Sequence, residues 1–327
     1  MARQLHFVGN RQMSTSGQYR LRRPLSATIL FLAVTVEYAM PLPVAPQEPE
    51  PFRISVNADL VVLHASVRDR SGGFASGLNK ASFEIFEEGV RQEIRLFHHE
   101  DVPVTVGLIV DHSGSMDKKL PDVIEAARTF VKFSSPLDEM FVVNFNENLT
   151  LGLPGAFHFS ARADELAAAI SRTRAEGMTA LYDAVAAGLN RLESGTRDKK
   201  ILVVVSDGGD NASRLKIGEL SKLAVRSGAI IYAIGIFADS DPDRNPGVLK
   251  RLAQETGGEA IFPGDLSTVT AACERIARDI RNQYTLGYAP ATQQRAGQWR
   301  TLRVTARSAS RKLAVRTRSG YFTGRPQ

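Results

Sequence analysis

The sequence predicts an α/β fold: a doubly wound, mostly parallel sheet with helices on both faces, joined to a small all-β unit built by the flanking segments. Three observations carry this. From Val104 to about Asn282, near-continuous apolar runs alternate with amphipathic stretches, the pattern of parallel strands covered on both faces and of the helices that cover them. On either side, short alternating strands broken by Gly-rich turns replace that rhythm, as in half-buried antiparallel sheet. With 327 residues, 43% hydrophobic and 23% charged, the chain can bury two cores and is not collagen-like, coiled-coil or largely disordered.

Taken in order, Arg20, Arg22 and Arg23 precede an apolar run from Leu25 to Val36, followed by Glu37 and a Pro-rich stretch that ends at Pro51. That order matches a secretory signal peptide. Residues 1–51 are therefore expected to be leader and linker, and the product to be exported to the periplasm, the cell surface or the medium. A bilayer-spanning helix wants roughly 20 apolar residues, and this shorter run stops at a carboxylate, so membrane association is expected only through an uncleaved leader.

Residues 52–100 form the N-terminal part of the β unit, with strands over Leu60–Val67, Phe83–Phe86 and Glu93–His98 and a turn at Glu88-Gly89. Residues 101–282 form the α/β domain, with buried strands over Val104–Val110, Phe141–Phe145, Ile201–Val205 and Ala229–Ile236. Between them, Leu120, Ile124, Ala127 and Val131 recur at helical spacing, as do Leu181, Val185, Leu189 and Leu192. Asn245 with Pro246 starts a further helix that Gly257 ends. The last helix, about Ser267 to Asn282, places Val269, Cys273, Ile276 and Ile280 on one face, which makes Cys273 a core residue. As the single cysteine it closes no intramolecular bridge and builds no cysteine zinc site.

Residues 283–327 return to β structure and complete the flanking unit. Leu302, Val304 and Ala306 alternate with Arg303, Thr305 and Arg307, and Arg316 and Arg318 repeat the pattern around Val315, so these cations are expected to face solvent. Residues 275–327 hold eleven Arg and one Lys against Asp279, which leaves the middle of this net +6 chain acidic. No aromatic interleaving or nucleic-acid motif accompanies the basic tail, so nucleic acid is not an expected partner.

In a doubly wound sheet, ligands bind at the carboxyl ends of the strands. The first strand runs into Asp111-His112-Ser113-Gly114-Ser115, the third into Ser206-Asp207-Gly208, and between them Thr179 opens a helix. Asp111, Ser113, Ser115, Thr179 and Asp207 are all oxygen donors, a set that suits hard cations rather than zinc or copper. A lone Asp-x-Ser-x-Ser is also an ordinary Asx turn and helix cap; two further donors at matching strand ends favour a metal site. Asp210, Asn211 and Asp183 are read as loop or helix-end residues.

Asp111-x-Ser113-x-Ser115, then Thr179, then Asp207-Gly208 resembles the metal-ion-dependent adhesion site of von Willebrand factor type A (VWA) domains. The flanks are similar to a bacterial VWA-related group: Asp59-Leu60-Val61-Val62-Leu63, Phe83 to Gly89, and a closing Ser319-Gly320-Tyr321-Phe322. The likeness runs over about residues 54–323. It implies Mg²⁺, with Mn²⁺ and Ca²⁺ as alternatives, held by Ser113 and Ser115. Thr179 would bind directly or through water, and Asp111 and Asp207 through ordered waters or directly. One coordination position would stay open for an Asp or Glu carboxylate of a protein partner.

The function this implies is a non-enzymatic, cation-dependent protein-binding module of the cell envelope or exterior. The alternative is a Mg²⁺-dependent phosphohydrolase using Asp111, although such an enzyme wants a second acid where Ser113 stands. His112 beside Ser113 raises a serine-nucleophile reading, but no Gly-x-Ser-x-Gly elbow is present. Phosphate-cradling glycine loops are absent as well.

Overall fold

The computed structural model describes residues 60–99, 101–155, 159–237, 244–290, 296–309 and 312–324, all within a unit from Val56 to Gln327. The proposed leader and Pro-rich linker, residues 1–51, lie outside the described residues. Strand β1 (Val61–Asp69), the hairpin β2 (Phe83–Glu87) and β3 (Val90–Gln92), and β4 (Leu96–His98) come first. The α/β region follows as β5 (Val104–Asp111), α1 (Leu120–Lys132), β6 (Glu139–Phe145), β7 (Leu149–Leu151), α2 (Ala163–Ile170) and α3 (Leu181–Leu192). It continues through β8 (Lys199–Ser206), α4 (Ile217–Ser227), β9 (Ile230–Gly235), α5 (Pro246–Thr256), β10 (Ala260–Ile261) and α6 (Val269–Arg281). Strands β11 (Tyr284–Tyr288), β12 (Trp299–Ala306), β13 (Leu313–Arg316) and β14 (Gly320–Phe322) close the chain.

The uninterrupted apolar runs become the centre of a six-stranded sheet ordered β10-β9-β8-β5-β6-β7. All neighbours pair parallel except the edge strand β7. Every residue of β5 is buried, which is why its sequence shows no polar alternation. Helix α1 packs on α2 and α6, and α4 packs on α3 and α5, so the sheet is covered by two helical groups. Asn245 caps α5 by accepting from the Val248 N–H, and Gly257 ends it at φ +85°. Cys273 is buried in the core, where desolvation pushes its thiol up to about 12.

The chain leaves β5 for β6 on one side, while β8 continues to β9 on the other. A crevice therefore opens between the carboxyl ends of β5 and β8, where this class of sheet binds ligands.

The flanks form two antiparallel sheets, β13-β1-β11-β4 and β14-β12-β2-β3. Leu63 sits opposite Leu286, and Val304 opposite Ile85, so N- and C-terminal segments pair directly. Leu63, Ile85, Tyr284, Leu286 and Tyr288 share one buried core between these sheets. The strand expected over Glu93–His98 is shorter, β4 beginning only at Leu96 and pairing with β11, while β3, just before it, pairs with β2 in the other sheet. The chain changes sheets at residues 93–95, where Arg95 N–H donates to the Gly287 carbonyl. Among the described residues no helix is long and apolar enough to cross a membrane.

Candidate functional site

Strands β5 and β8 pair in register up to Val110 opposite Val205, so Asp111 and Ser206 emerge side by side. The Ser206 hydroxyl donates to Asp111 Oδ2 (2.6 Å), and the Ser113 N–H donates to Asp111 Oδ1 (2.8 Å). Asp111 is wholly buried and holds the following loop from below. Above it, Ser113 Oγ and Ser115 Oγ lie 3.2 Å apart, and the Ser115 hydroxyl donates to Asp207 Oδ2 at 2.6 Å. Ser113 is buried and Ser115 exposed, so the hydroxyls run from the interior to the mouth of the crevice.

Asp207 is 5% exposed and its Oδ1 accepts from the Gly209 N–H (3.0 Å). Gly208 turns the chain at φ +79°, and a Cβ there would stand 2.4 Å from the Asn245 carbonyl oxygen. Only glycine fits this turn without strain. Burial pushes the Asp111 carboxyl up to about 6 against hydrogen bonds from Ser113 and Ser206, and the nearby Asp207 charge adds to the rise. Neither carboxylate is ion-paired among the described residues.

Thr179 stands in a third connection, between α2 and α3, whose loop borders the serine loop. The Gly114 N–H donates to the Gly177 carbonyl (3.2 Å), which ties the threonine loop to the serine loop. Thr179 is buried; its N–H donates to Asn211 Oδ1 (2.9 Å), and its carbonyl accepts from the N–H groups of Asn211 and Ala212. Gly177 adopts φ +78° with the Glu147 carboxylate in the space a Cβ would take, and that carboxylate accepts from the Met178 N–H at 2.7 Å. Met178 is thereby left 54% exposed beside the site.

The supporting contacts of several residues escape sequence reasoning. Ser206 is one; its signal was a hydroxyl directly before Asp207 at a strand end. Asn211 holds the threonine loop, and Asp210 accepts from the Tyr182 N–H (3.2 Å) at the start of α3. Asp183 accepts from the N–H groups of Arg214 and Leu215, so it anchors the loop before α4 rather than only complementing a helix end. His112 is wholly buried with its ring nitrogens at the carbonyls of Val110 (3.1 Å) and Ile170 (2.9 Å). It is thus committed to the backbone and not to Ser113.

Among the described residues no group of three or more His, Cys, Asp and Glu side chains gathers as a metal cage. A cation held here would rely on hydroxyls with two carboxylates, an all-oxygen set whose chemistry fits a hard ion. Two buried carboxylates so near that the Asp207 charge adds to the rise of Asp111, with no ion-paired cation among the described residues, are electrostatically served by such an ion.

The comparisons with known proteins agree with this architecture. A solved von Willebrand factor type A structure from Catenulispora acidiphila superposes with a TM-score of 0.50 at 14% identity, over 81% of this chain and 75% of that one. The von Willebrand factor domain of the type V pili tip protein Mfa5 from Porphyromonas gingivalis gives a TM-score of 0.46 at 14% identity, over 55% of this chain and 95% of that one. At 14% identity the Catenulispora likeness concerns the fold alone. An uncharacterized protein of Synechocystis sp. is 29% identical over 130 residues, 38% of this chain and 30% of that protein, so the match spans under a third of the relative's length. The family model of the von Willebrand factor type A domain matches residues 106–272, a stretch that contains Asp111, Ser113, Ser115, Thr179 and Asp207. The chain belongs to the von Willebrand factor type A domain family.

Proposed function

We propose that this chain is a non-enzymatic, divalent-cation-dependent protein-binding module acting at or beyond the cell envelope. Ser113 and Ser115 would hold Mg²⁺ directly, Thr179 directly or through water, and Asp111 and Asp207 through water or directly. The observation that carries the reading is the convergence of Ser113, Ser115 and Asp207 from the ends of two adjacent strands, over a buried Asp111. When bound, the ion would supply a Lewis-acidic contact for an Asp or Glu carboxylate of the partner protein.

This chain's residues prepare that contact. Asp111 fixes the serine loop through the Ser113 N–H. The Ser115 hydroxyl donates its hydrogen bond to Asp207, which leaves oxygen lone-pair capacity for a cation. Exposed Met178 adds an apolar edge to the rim, which an incoming protein can cover. The phosphohydrolase alternative lacks a second acid at Ser113, and the neighbouring imidazole of His112 is engaged with main-chain carbonyls. The envelope location rests on the leader-like order of residues 20–51.

Thermal unfolding of chelator-stripped protein with and without Mg²⁺ tests the site, using wild type, Asp111→Ala and Ser115→Ala. Wild type is expected to be stabilised saturably, by about 2.7 kcal/mol when Mg²⁺ stands at roughly 100 times its dissociation constant, and both variants far less. Equal stabilisation of all three, or of none, removes the metal reading. Turnover of an aryl phosphate that disappears in Asp111→Ala would establish the phosphohydrolase in its place.

A further inference from the structure

At the edge of the central sheet opposite Asp111 and Asp207, a cavity of about 910 Å³ opens between the strand starts and the flanking sheet. This lies within the roughly 300–1,000 Å³ typical of small-molecule sites. Lys199, the first residue of β8, and Ile230, the first of β9, form one wall; His64 of β1, Leu96 of β4 and Arg318 form another. Among the described lining residues, four cations face a single carboxylate, Asp198.

The cations are unequally satisfied. Arg197 lies 3.8 Å from Glu139, and Lys200 donates to the Gly195 carbonyl at 2.8 Å. Lys199, only 5% exposed, donates to the Ile280 carbonyl (2.6 Å) and has no carboxylate partner among the described residues. Arg318 donates to the Val62 carbonyl (2.9 Å), yet its Nε is buried without an acceptor. His64 engages Thr285 through Nδ1 (3.1 Å). The nearest carboxylates are already committed: Asp101 and Asp138 to Arg281, and Asp279 to Arg68 and Arg316.

We propose that this cavity binds a small organic acid, its carboxylate received between Lys199, Arg318 and His64 and its apolar body laid against Val62, Leu96 and Ile230. Two cations stripped of most of their water and without an ion-paired carboxylate among the described residues favour an anion. Burial, together with the Arg281 charge, lowers Lys199 to about 7. Burial, with the charges of Lys199 and Arg318, lowers His64 to about 3. Within the cavity the charges of Lys199 and Arg318 thus both oppose protonation of His64, and a carboxylate among the three offsets that repulsion. The apolar body follows from Leu60 and Val62, which are exposed at the same cavity and which a bare inorganic anion would leave in water.

This site is independent of the proposed cation site, and titration calorimetry of the full chain with octanoate, with EDTA present throughout, separates the two. Octanoate is expected to bind saturably, about tenfold or more tighter than inorganic phosphate or 1-octanol. Lys199→Gln and Arg318→Gln are each expected to weaken it about tenfold. Since Lys199 is buried and Arg318 half-buried, Val62→Asp provides a third variant: it adds a carboxylate at an exposed position, so it should weaken octanoate to a similar extent with an unchanged circular dichroism spectrum. The proposal is overturned if octanoate shows no saturable binding to wild type or if 1-octanol or phosphate binds as tightly. It also falls if Val62→Asp, folded as wild type, keeps full affinity.

Discussion

Replacing Asp279 with alanine is expected to cost about 3 kcal/mol of stability, because this carboxylate fastens the last helix of the α/β region to the flanking sheet. Asp279, on α6, is wholly buried and accepts from Ser66 Oγ (2.5 Å) and Arg68 (3.1 Å) on β1, from Arg316 at the end of β13, and from Tyr232 Oη (2.5 Å) on β9. Removing one partner of a buried ion pair typically costs about 3–5 kcal/mol. The lower end applies, since Glu259 lies 3.2 Å from Arg68 and 3.6 Å from Arg316 and retains part of their compensation. Urea unfolding of wild type, Asp279→Ala and Asp279→Asn measures the effect, and a matching fall of about 6–12 °C in Tm is expected. The pH dependence supplies a second check. Burial alone would raise this carboxyl, but Arg316, Ser66, Tyr232 and Arg68 together hold it below the ordinary carboxylate range. A depressed native pKa gives stability that is complete above the unfolded value of about 3.9 and is lost as pH falls through the native one. The gap between wild type and Asp279→Asn should therefore be widest near neutrality and close in acid. A loss below about 1 kcal/mol for Asp279→Ala, or a gap that does not close in acid, would refute the clamp.

Lys199 gives the opposite pH signature. Its native pKa of about 7 lies below the unfolded value, so the unfolded chain binds more protons between those limits and stability should rise with pH from about 7 to about 10. The rise is roughly 5 kcal/mol at most, and Lys199→Met should flatten it; an unchanged slope in denaturant melts at stepped pH would contradict the burial assigned to this amine. Gly208→Ala should destabilise by about 2–4 kcal/mol, combining a left-handed backbone with a Cβ driven against the Asn245 carbonyl. The same variant should blunt any Mg²⁺ response through displacement of Asp207, and a wild-type melt with a wild-type response would count against both effects.

Where burial was continuous along an element, the sequence was easy to read. Strands β5, β6, β8 and β9 show as unbroken apolar runs because both faces are covered, and α5 shows because Asn245-Pro246 and Gly257 punctuate it. Helices α2 and α4 are less marked: the first has only eight residues, and the second starts from a backbone N–H of Lys216 satisfied by Glu219 rather than from a standard cap residue. Donors following β5 and β8 were visible as candidates, while Thr179, expected at a third strand end, lies instead between α2 and α3; the hydroxyl of Ser206 under Asp111 depends on the register between β5 and β8, which no local pattern specifies. The basic tail shows the same limit. Arg303 and Arg307 do face outward, Arg307 beside Glu84. Arg316 and Arg318, expected in solvent, instead meet Asp279 and the lysine-lined cavity. Alternation in a four-residue strand tells which side a residue takes, while what covers that side is decided by α6, distant in sequence.

Strand β8 joins the two charge problems of this molecule. It begins at Lys199 and delivers Asp207 directly after its last residue, and eight rises along the strand separate these two residues by roughly 26 Å. At that distance the cation and the carboxylates compensate one another little, since unit charges so far apart interact by only about 0.6 kcal/mol at an effective dielectric constant of about 20, and the parallel backbone fixes the spacing. Each end must therefore find compensation locally. Asp111 and Asp207 have hydroxyls and N–H groups but no ion-paired cation among the described residues; Lys199 has a carbonyl but no carboxylate partner. Opposite charges that the fold holds too far apart to pair favour opposite ligands: a hard cation at the carboxyl edge and an organic anion at the amino edge. Because the two edges share strands but not side chains, chelation should leave octanoate affinity unchanged, and loss of Lys199 should leave the Mg²⁺ response unchanged.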